Sequence, residues 1–178
     1  GLALEWQGQR PVAVAIENST ASTTQWGLSS ASVVLEALTE VGTSTELCLV
    51  YPALAATPKV GPVAAGQDIY WRLLVGQQPI PVQRGGGQFD QNFLDYYSIR
   101  AVDALEAGRT AFDCGSEWSN APLWYTSGEA ISNVLDELSI SSVLTESRVT
   151  SAVSAAADSA SSGADAVLSI PALLPQEA

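Results

Sequence analysis

The residues of this chain that are equipped for chemistry are few and widely separated. Three glycines, Gly85 to Gly87, follow Gln83-Arg84 and precede Gln88-Phe89-Asp90. Glycines ahead of a helix can turn backbone N–H groups toward a phosphate, usually with a Lys or Arg beside them. Arg84 is so placed, but the stretch lacks the Lys-Ser/Thr of a P-loop and the spacing of a dinucleotide fingerprint. Asp90 in the first helical turn suits the helix dipole and would repel a bound anion. A tight turn is the simpler reading of the glycines, and a ligand loop is the alternative. Asp113 and Glu117 lie near Trp118 and Trp124. Paired carboxylates beside aromatics can hydrolyse a glycosidic bond, although acids in an acidic chain need no such role. Trp118, Trp124 and Tyr125 either form an aromatic binding surface or fold back over the core. Lys59, the sole lysine, could pair with a serine as a nucleophile; between Pro58 and Gly61-Pro62 it reads as plain loop.

There is no histidine. That removes His-based triads, imidazole acid–base work and His-ligated metals. Cys48 and Cys114 are too far apart in sequence for a zinc knuckle. They are open to a disulfide in an exported protein or to life as two buried thiols. The expectation is no metal and no cofactor.

A chain of 178 residues, 47% hydrophobic, is the length of one domain with a sizeable core. Only 7 Lys and Arg stand against 19 Asp and Glu, for a net charge of −12. That balance excludes a phosphate-neutralising nucleic-acid surface and disfavours an anionic membrane surface. Met is absent, so the expectation is a processed chain. No segment nears the roughly 18 apolar residues of a membrane span; an export signal or lipid anchor is expected in the part removed.

The elements that must position these residues follow from periodicity. Pro11–Asn18 is a buried strand, followed by a polar loop to Gly27 that contains the sequon-like Asn18-Ser19-Thr20. The stretches SVVLEAL and TELCLVY, separated by a turn at Gly42, read as a β-hairpin; a helix over Ser30–Glu40 is the alternative. Ile69, Leu73 and Leu74 have helical spacing within residues 66–76. PIPVQ is a short strand entering the glycines. Phe89, Phe93, Tyr97, Ala101 and Leu105 recur every fourth residue and predict one amphipathic helix over 88–105 with this stripe toward the core. AFDC is a candidate strand. Thr126 and Glu129 have capping-box spacing ahead of a helix over 127–138 whose face is Ile131, Val134, Leu135 and Leu138. Alternating strands and helices indicate an α/β single-domain sandwich, with a mixed sheet that includes the hairpin and helices packed on it. Residues 1–140 form this domain. Residues 141–178 are Ser/Ala-rich and linker-like, with one possible last strand in VLSIPALL.

Several ordered motifs carry a family resemblance. A first strand ends in Asn18 and its polar loop reaches Gly27-Leu28. VVLEALTEVGTST keeps Glu36, Glu40 and Gly42 of a strand-and-turn motif. GPVAAGQ, QRGGG and APLWYTS follow in order. In these the chain resembles the N-terminal domain, of unknown function, of the YerB-like lipoproteins, exported proteins of Gram-positive bacteria. The resemblance implies an extracytoplasmic domain, secreted or lipid-anchored. The family's arginines fall on Thr45, Ala64 and Gln67, its Pro-His-Asn polar pair on Leu123 and Trp124, and its His before the glycines on Gln83 or Arg84. The charged partners of a family site are therefore mostly replaced here, and the scaffold of glycines, prolines and Asn18 persists.

The functional expectation is a non-catalytic binding or interaction domain for a small molecule, glycan or cell-envelope protein. A glycan or cell-wall hydrolase using Asp113 or Glu117 is the alternative, against which stand the missing histidine and the lack of a nucleophile-plus-base constellation. Any site is expected where the loops 18–26, 61–67 and 83–88 converge beyond the carboxyl ends of the strands. Its ligand contacts would come from Asn18, Gln67, Gln83, Arg84, Gly85, Gly86 and Trp124, neutral polar for the most part and no strong anion clamp.

Overall fold

A computed structural model describes residues 8–19, 24–39, 42, 44–114 and 124–144. Among the described residues five strands form one mixed sheet: β1 (Val12–Glu17), β2 (Val33–Leu38), β3 (Thr45–Tyr51), β4 (Ile80–Gln83) and β5 (Val102–Asp103), in the order β2-β3-β1-β4-β5. β2 and β3 are the expected antiparallel hairpin, and β3 continues antiparallel onto β1. β4 lies parallel to β1, and β5 parallel to β4. Parallel neighbours need a crossover, and here helices α1 (Asp68–Leu74) and α2 (Gln88–Tyr96) occupy the two connections. Two short helices, α3 (Ala104–Ala107) and α4 (Gly128–Ser132), follow.

β1 is central and covered on both faces, which is why it reads as an unbroken apolar run. Val12, Val14 and Ile16 join Leu49, Tyr51, Phe112, Trp124, Ile131 and Val134 on one face. Ala13, Cys48 and Val50 meet Tyr70, Trp71 and Leu74 of α1 and Phe93 and Leu94 of α2 on the other. Cys48 and Cys114 are both buried and free, in clusters on opposite sides of the sheet. The sheet itself keeps them apart.

Four helical expectations need correction. α2 stops at Tyr96 and the chain re-enters the sheet at Val102, so no single helix covers 88–105. A repeat of four residues drifts by about 40° per step against a 3.6-residue turn, so the five residues cannot share one face. Phe89, Tyr97 and Leu105 are in fact exposed, and only Phe93 of the helical part is buried. In α1 the buried side chains are Tyr70, Trp71 and Leu74, with Ile69 and Leu73 exposed. The capping residue of α4 is Ser127, whose Oγ accepts from the N–H of Ala130 at 3.2 Å. Thr126 instead donates to the carbonyl of Ala111 at 2.5 Å. After Ser132 the α-helix gives way to turns, yet Ile131, Val134 and Leu135 are buried as their spacing implied. AFDC yields no strand and only one bridge among the described residues, Asp113 to Tyr125.

Glu40, Thr20 of the sequon, Glu117, Trp118, Leu123 and the Ser/Ala-rich stretch from 145 onward lie outside the described residues.

Candidate functional site

The segment 60–66 ties the loops together. Val60 bridges Thr126, Gly61 bridges Trp26, Val63 bridges Ile16 and Gly66 bridges Gly86. Its N–H groups are engaged along its length: Val60 to Thr126, Gly61 to Trp26, Val63 to Trp124, Ala64 to Ala15 and Gly66 to Gly85. The three loops named from sequence therefore do meet at this segment.

Their polar side chains divide into separate groups. Asn18 is exposed; its Nδ2 donates to Thr45 Oγ1 at 2.9 Å and its Oδ1 accepts from Gln25 Nε2 at 3.2 Å. Thr45 Oγ1 donates in turn to Glu36 Oε1 at 2.7 Å. Gln67 is buried and donates to Glu46 Oε2 at 2.6 Å. Burial raises the Glu46 carboxyl above its ordinary pKa, the Gln67 bond opposes this, and the Glu17 charge adds to it. Arg84 sets its guanidinium carbon 5.8 Å from the ring centroid of buried Trp124, whose carbonyl accepts from Val63. Gln83 points into the interior, with Gly85 and Gly86 beside it.

There it joins a buried polar cluster that sequence reading missed. Gln83 and Asp103 are register partners at the ends of β4 and β5. Gln83 Nε2 donates to Asp90 Oδ2 at 3.0 Å and to Asp103 Oδ2 at 3.2 Å. Asp90, fully buried, also accepts from the Trp71 indole N–H at 2.5 Å. Asp103 Oδ1 accepts from the backbone N–H groups of Gly85 and Leu105, each at 2.9 Å. The one sequence signal was the capping spacing Asp103-x-x-Glu106 at the start of α3. Desolvation raises the Asp90 carboxyl, against the bonds from Trp71 and Gln83; the charges of Asp103 and Asp68 raise it further. This cluster explains the glycines. A Cβ on Gly86 would lie 1.9 Å from Asp90 Oδ2, and one on Gly66 1.9 Å from Gln83 Oε1. The Gly-rich loop packs its backbone against two carboxylates of the protein's own, Gly86 against Asp90 and the Gly85 N–H on Asp103, so the anions it faces are internal.

A surface open to a ligand lies beside Lys59. Its Nζ sits 4.0 Å from the Trp26 ring centroid and 3.8 Å from that of Tyr125, a separation at which ring quadrupoles attract a cation. Tyr125 stacks edge-on against Trp26 at 5.5 Å and donates its hydroxyl proton to Asp113 Oδ2 at 2.8 Å. That bond raises the Tyr125 phenol above its ordinary pKa, with smaller contributions from burial and the Asp113 charge. Lys59, Arg109, Phe112, Asp113, Tyr125 and Ser127 line a groove of about 340 Å³ here. A neighbouring groove of about 470 Å³ shares Lys59 and Ser127. Asp113 is the one carboxylate lining the first groove among the described residues. No group of three or more His, Cys, Asp or Glu among the described residues is placed to hold a metal ion. No helix among them is long and apolar enough to cross a membrane.

A family model described as the N-terminal domain of a protein of unknown function, DUF3048, matches residues 1–141. The crystal structure of YerB from Bacillus subtilis is similar with a TM-score of 0.68 and 26% sequence identity. The match covers 78% of this chain and 47% of that one, so this chain spans about half the length of YerB. No curated protein matches.

Proposed function

The chain belongs to the DUF3048 N-terminal-domain family, and from that premise we propose that it is a non-catalytic ligand-binding domain working outside the cytoplasm. Its ligand face is the groove beside Lys59, and its ligand is a glycan or similar small molecule with a ring face and an acidic group. The observation that carries this reading is the make-up of the groove. Two cations, Lys59 and Arg109, share its lining with Phe112 and Tyr125, Lys59 lying over the Tyr125 ring, with a single carboxylate among the described residues, Asp113, held by the Tyr125 hydroxyl. Aromatic faces suit sugar rings and the cations suit a carboxylate. Glycoside hydrolysis calls for two carboxyls about 5 to 9 Å apart flanking the bond, and Asp113 has no such companion in this groove among the described residues. The resemblance to exported lipoproteins supports the location.

The test is a titration of isotope-labelled protein, followed by NMR, with a β-1,4-linked N-acetylglucosamine–N-acetylmuramic acid tetrasaccharide. The expected outcome is saturable shifts at Lys59, Asp113 and Tyr125, lost in Tyr125→Ala, with the saccharide recovered intact. Cleavage of the saccharide that Asp113→Asn abolishes would overturn the non-catalytic reading. Shifts confined to Asn18 and Gln67 would move the ligand face to the other loops.

A further inference from the structure

A different groove, far from Lys59 in the sequence of its lining, has a composition at odds with the rest of the protein. It measures about 340 Å³ and is lined by Arg10, Gln78, Tyr97, Ser98, Arg100 and Ser139, with apolar residues completing it. Among the described residues no Asp or Glu lines it, in a chain with 19 acids against 7 basic residues. Two of those seven cations are here. Neither is ion-paired with a carboxylate among the described residues, where the one salt bridge is Arg72–Asp68.

Arg10 is half-buried and fixed. Its Nε donates to the carbonyl of Gln78 at 2.7 Å, one terminal nitrogen to Ser141 at 2.8 Å and the other to Pro79 at 2.7 Å. A guanidinium has five N–H donors in a planar fork, so these three bonds set its plane and leave one hydrogen on each terminal nitrogen. A guanidinium with a hydrogen to spare on each terminal nitrogen has the donors to take two oxygens of one anion. Arg100 is exposed and completes the charge.

The rim adds a second, independent observation. Gln78, Ser98 and Ser139 have φ of 50°, 52° and 55°, and they are the non-glycine residues with positive φ among those described. All three line this groove. Ser98 and Ser139 close helical stretches: Ile99 N–H reaches back to Leu94, and Ile140 N–H to Leu135. Glycine is the residue such left-handed caps favour, and a side chain there is held at a cost. Polar side chains at all three caps of one groove are what a set of ligand donors requires. Arg10 also neutralises three carbonyls beside the groove, those of Gln78, Pro79 and Ser141, by bonding each of them.

We propose that this groove is an oxyanion-binding site, in which Arg10 and Arg100 hold a carboxylate or phosphoryl group and Ser98 and Ser139 donate hydroxyl hydrogen bonds. It is separate from the Lys59 groove and stands or falls without it. The test is NMR titration of the whole chain with inorganic phosphate in one arm and succinate in the other, at low chloride. Saturable shifts at Ser98, Ile99, Arg100 and Ser139 are expected. The stronger arm identifies the group as phosphoryl or carboxylate. Arg100→Gln, at an exposed position, should fold unchanged and bind about tenfold or more weakly, as loss of a charge-assisted pair predicts. The double variant Ser98→Gly, Ser139→Gly should melt no lower than the native protein and bind several-fold more weakly, a split that caps of purely structural value would not produce. Absence of saturable shifts in both arms, or undiminished affinity in either variant, overturns the proposal.

Discussion

Asp90 places a carboxyl group, fully out of solvent, between an indole N–H and a side-chain amide. Truncation to Ala would orphan the Trp71 and Gln83 donors, and the expected cost is about 2–4 kcal/mol in urea unfolding. The pH dependence has a definite sign. Desolvation raises the native pKa above the unfolded value of about 3.9. Between the two values the folded state holds a proton that the unfolded state has lost, so the Asp90 contribution is complete below pH of about 3.9 and fades as pH rises through the native value. Asp90→Asn keeps an acceptor for Trp71 and cannot ionise. The stability of the native protein relative to this variant should therefore be greatest at acid pH and shrink toward neutrality; a difference that grows with pH would contradict the assignment. Gly86→Ala pushes a methyl onto the same carboxylate, and about 1–3 kcal/mol of destabilisation is expected from such overpacking by thermal melts. None of this was legible from the glycines. They read as a tight turn, which does not say what the turn packs against, and Asp90 read as a first-turn acid suited to the helix dipole.

Elements were legible where one local rule governs them. The β-branched run of β1, the hairpin turn at Gly42 and the buried face Ile131-Val134-Leu135 each follow from spacing alone. The readings failed where tertiary pairing took over. The chain leaves α2 through a left-handed cap at Ser98 because Val102 and Asp103 pair with Val82 and Gln83. A two-residue strand has no periodicity to detect. The capping residue of α4 was displaced by one because Thr126 is drawn into a bond with Ala111. Removing the actual cap, Ser127→Ala, should cost about 1 kcal/mol, read as a lowered denaturation midpoint. Thr126→Ala tests the alternative, since it removes a different bond and should leave the first turn of α4 intact by NMR.

At the scale of the molecule, the sheet divides two cores and isolates the thiols. Burial raises the Cys48 thiol far above its ordinary value, which leaves almost no thiolate to react. Cys48 should resist a disulfide-exchange reagent in native protein, and both thiols should titrate in denaturant without any reductant. A zero-thiol count under those conditions would mean a bridge the sheet does not permit. The loop convergence named from sequence is real as geometry, because strand ends of a parallel arrangement gather their connections on one edge. What each side chain does there was beyond sequence, since Asn18, Gln67 and Gln83 choose partners from β2, β3 and α2 rather than from one another.

The segment 60–66 has a bearing on how the chain acquires its shape. It stitches residues near 16, 26, 86 and 126, contacts distant along the chain and therefore slow to close. The hairpin β2–β3 can form from neighbouring sequence; this stitching must wait for both halves of the domain to be in place. Interactions made after the rate-limiting barrier weigh on unfolding alone. Trimming buried Val63 to Ala should accordingly accelerate unfolding in stopped-flow denaturant jumps and leave the refolding rate almost untouched, whereas Leu49→Ala in the hairpin should slow refolding.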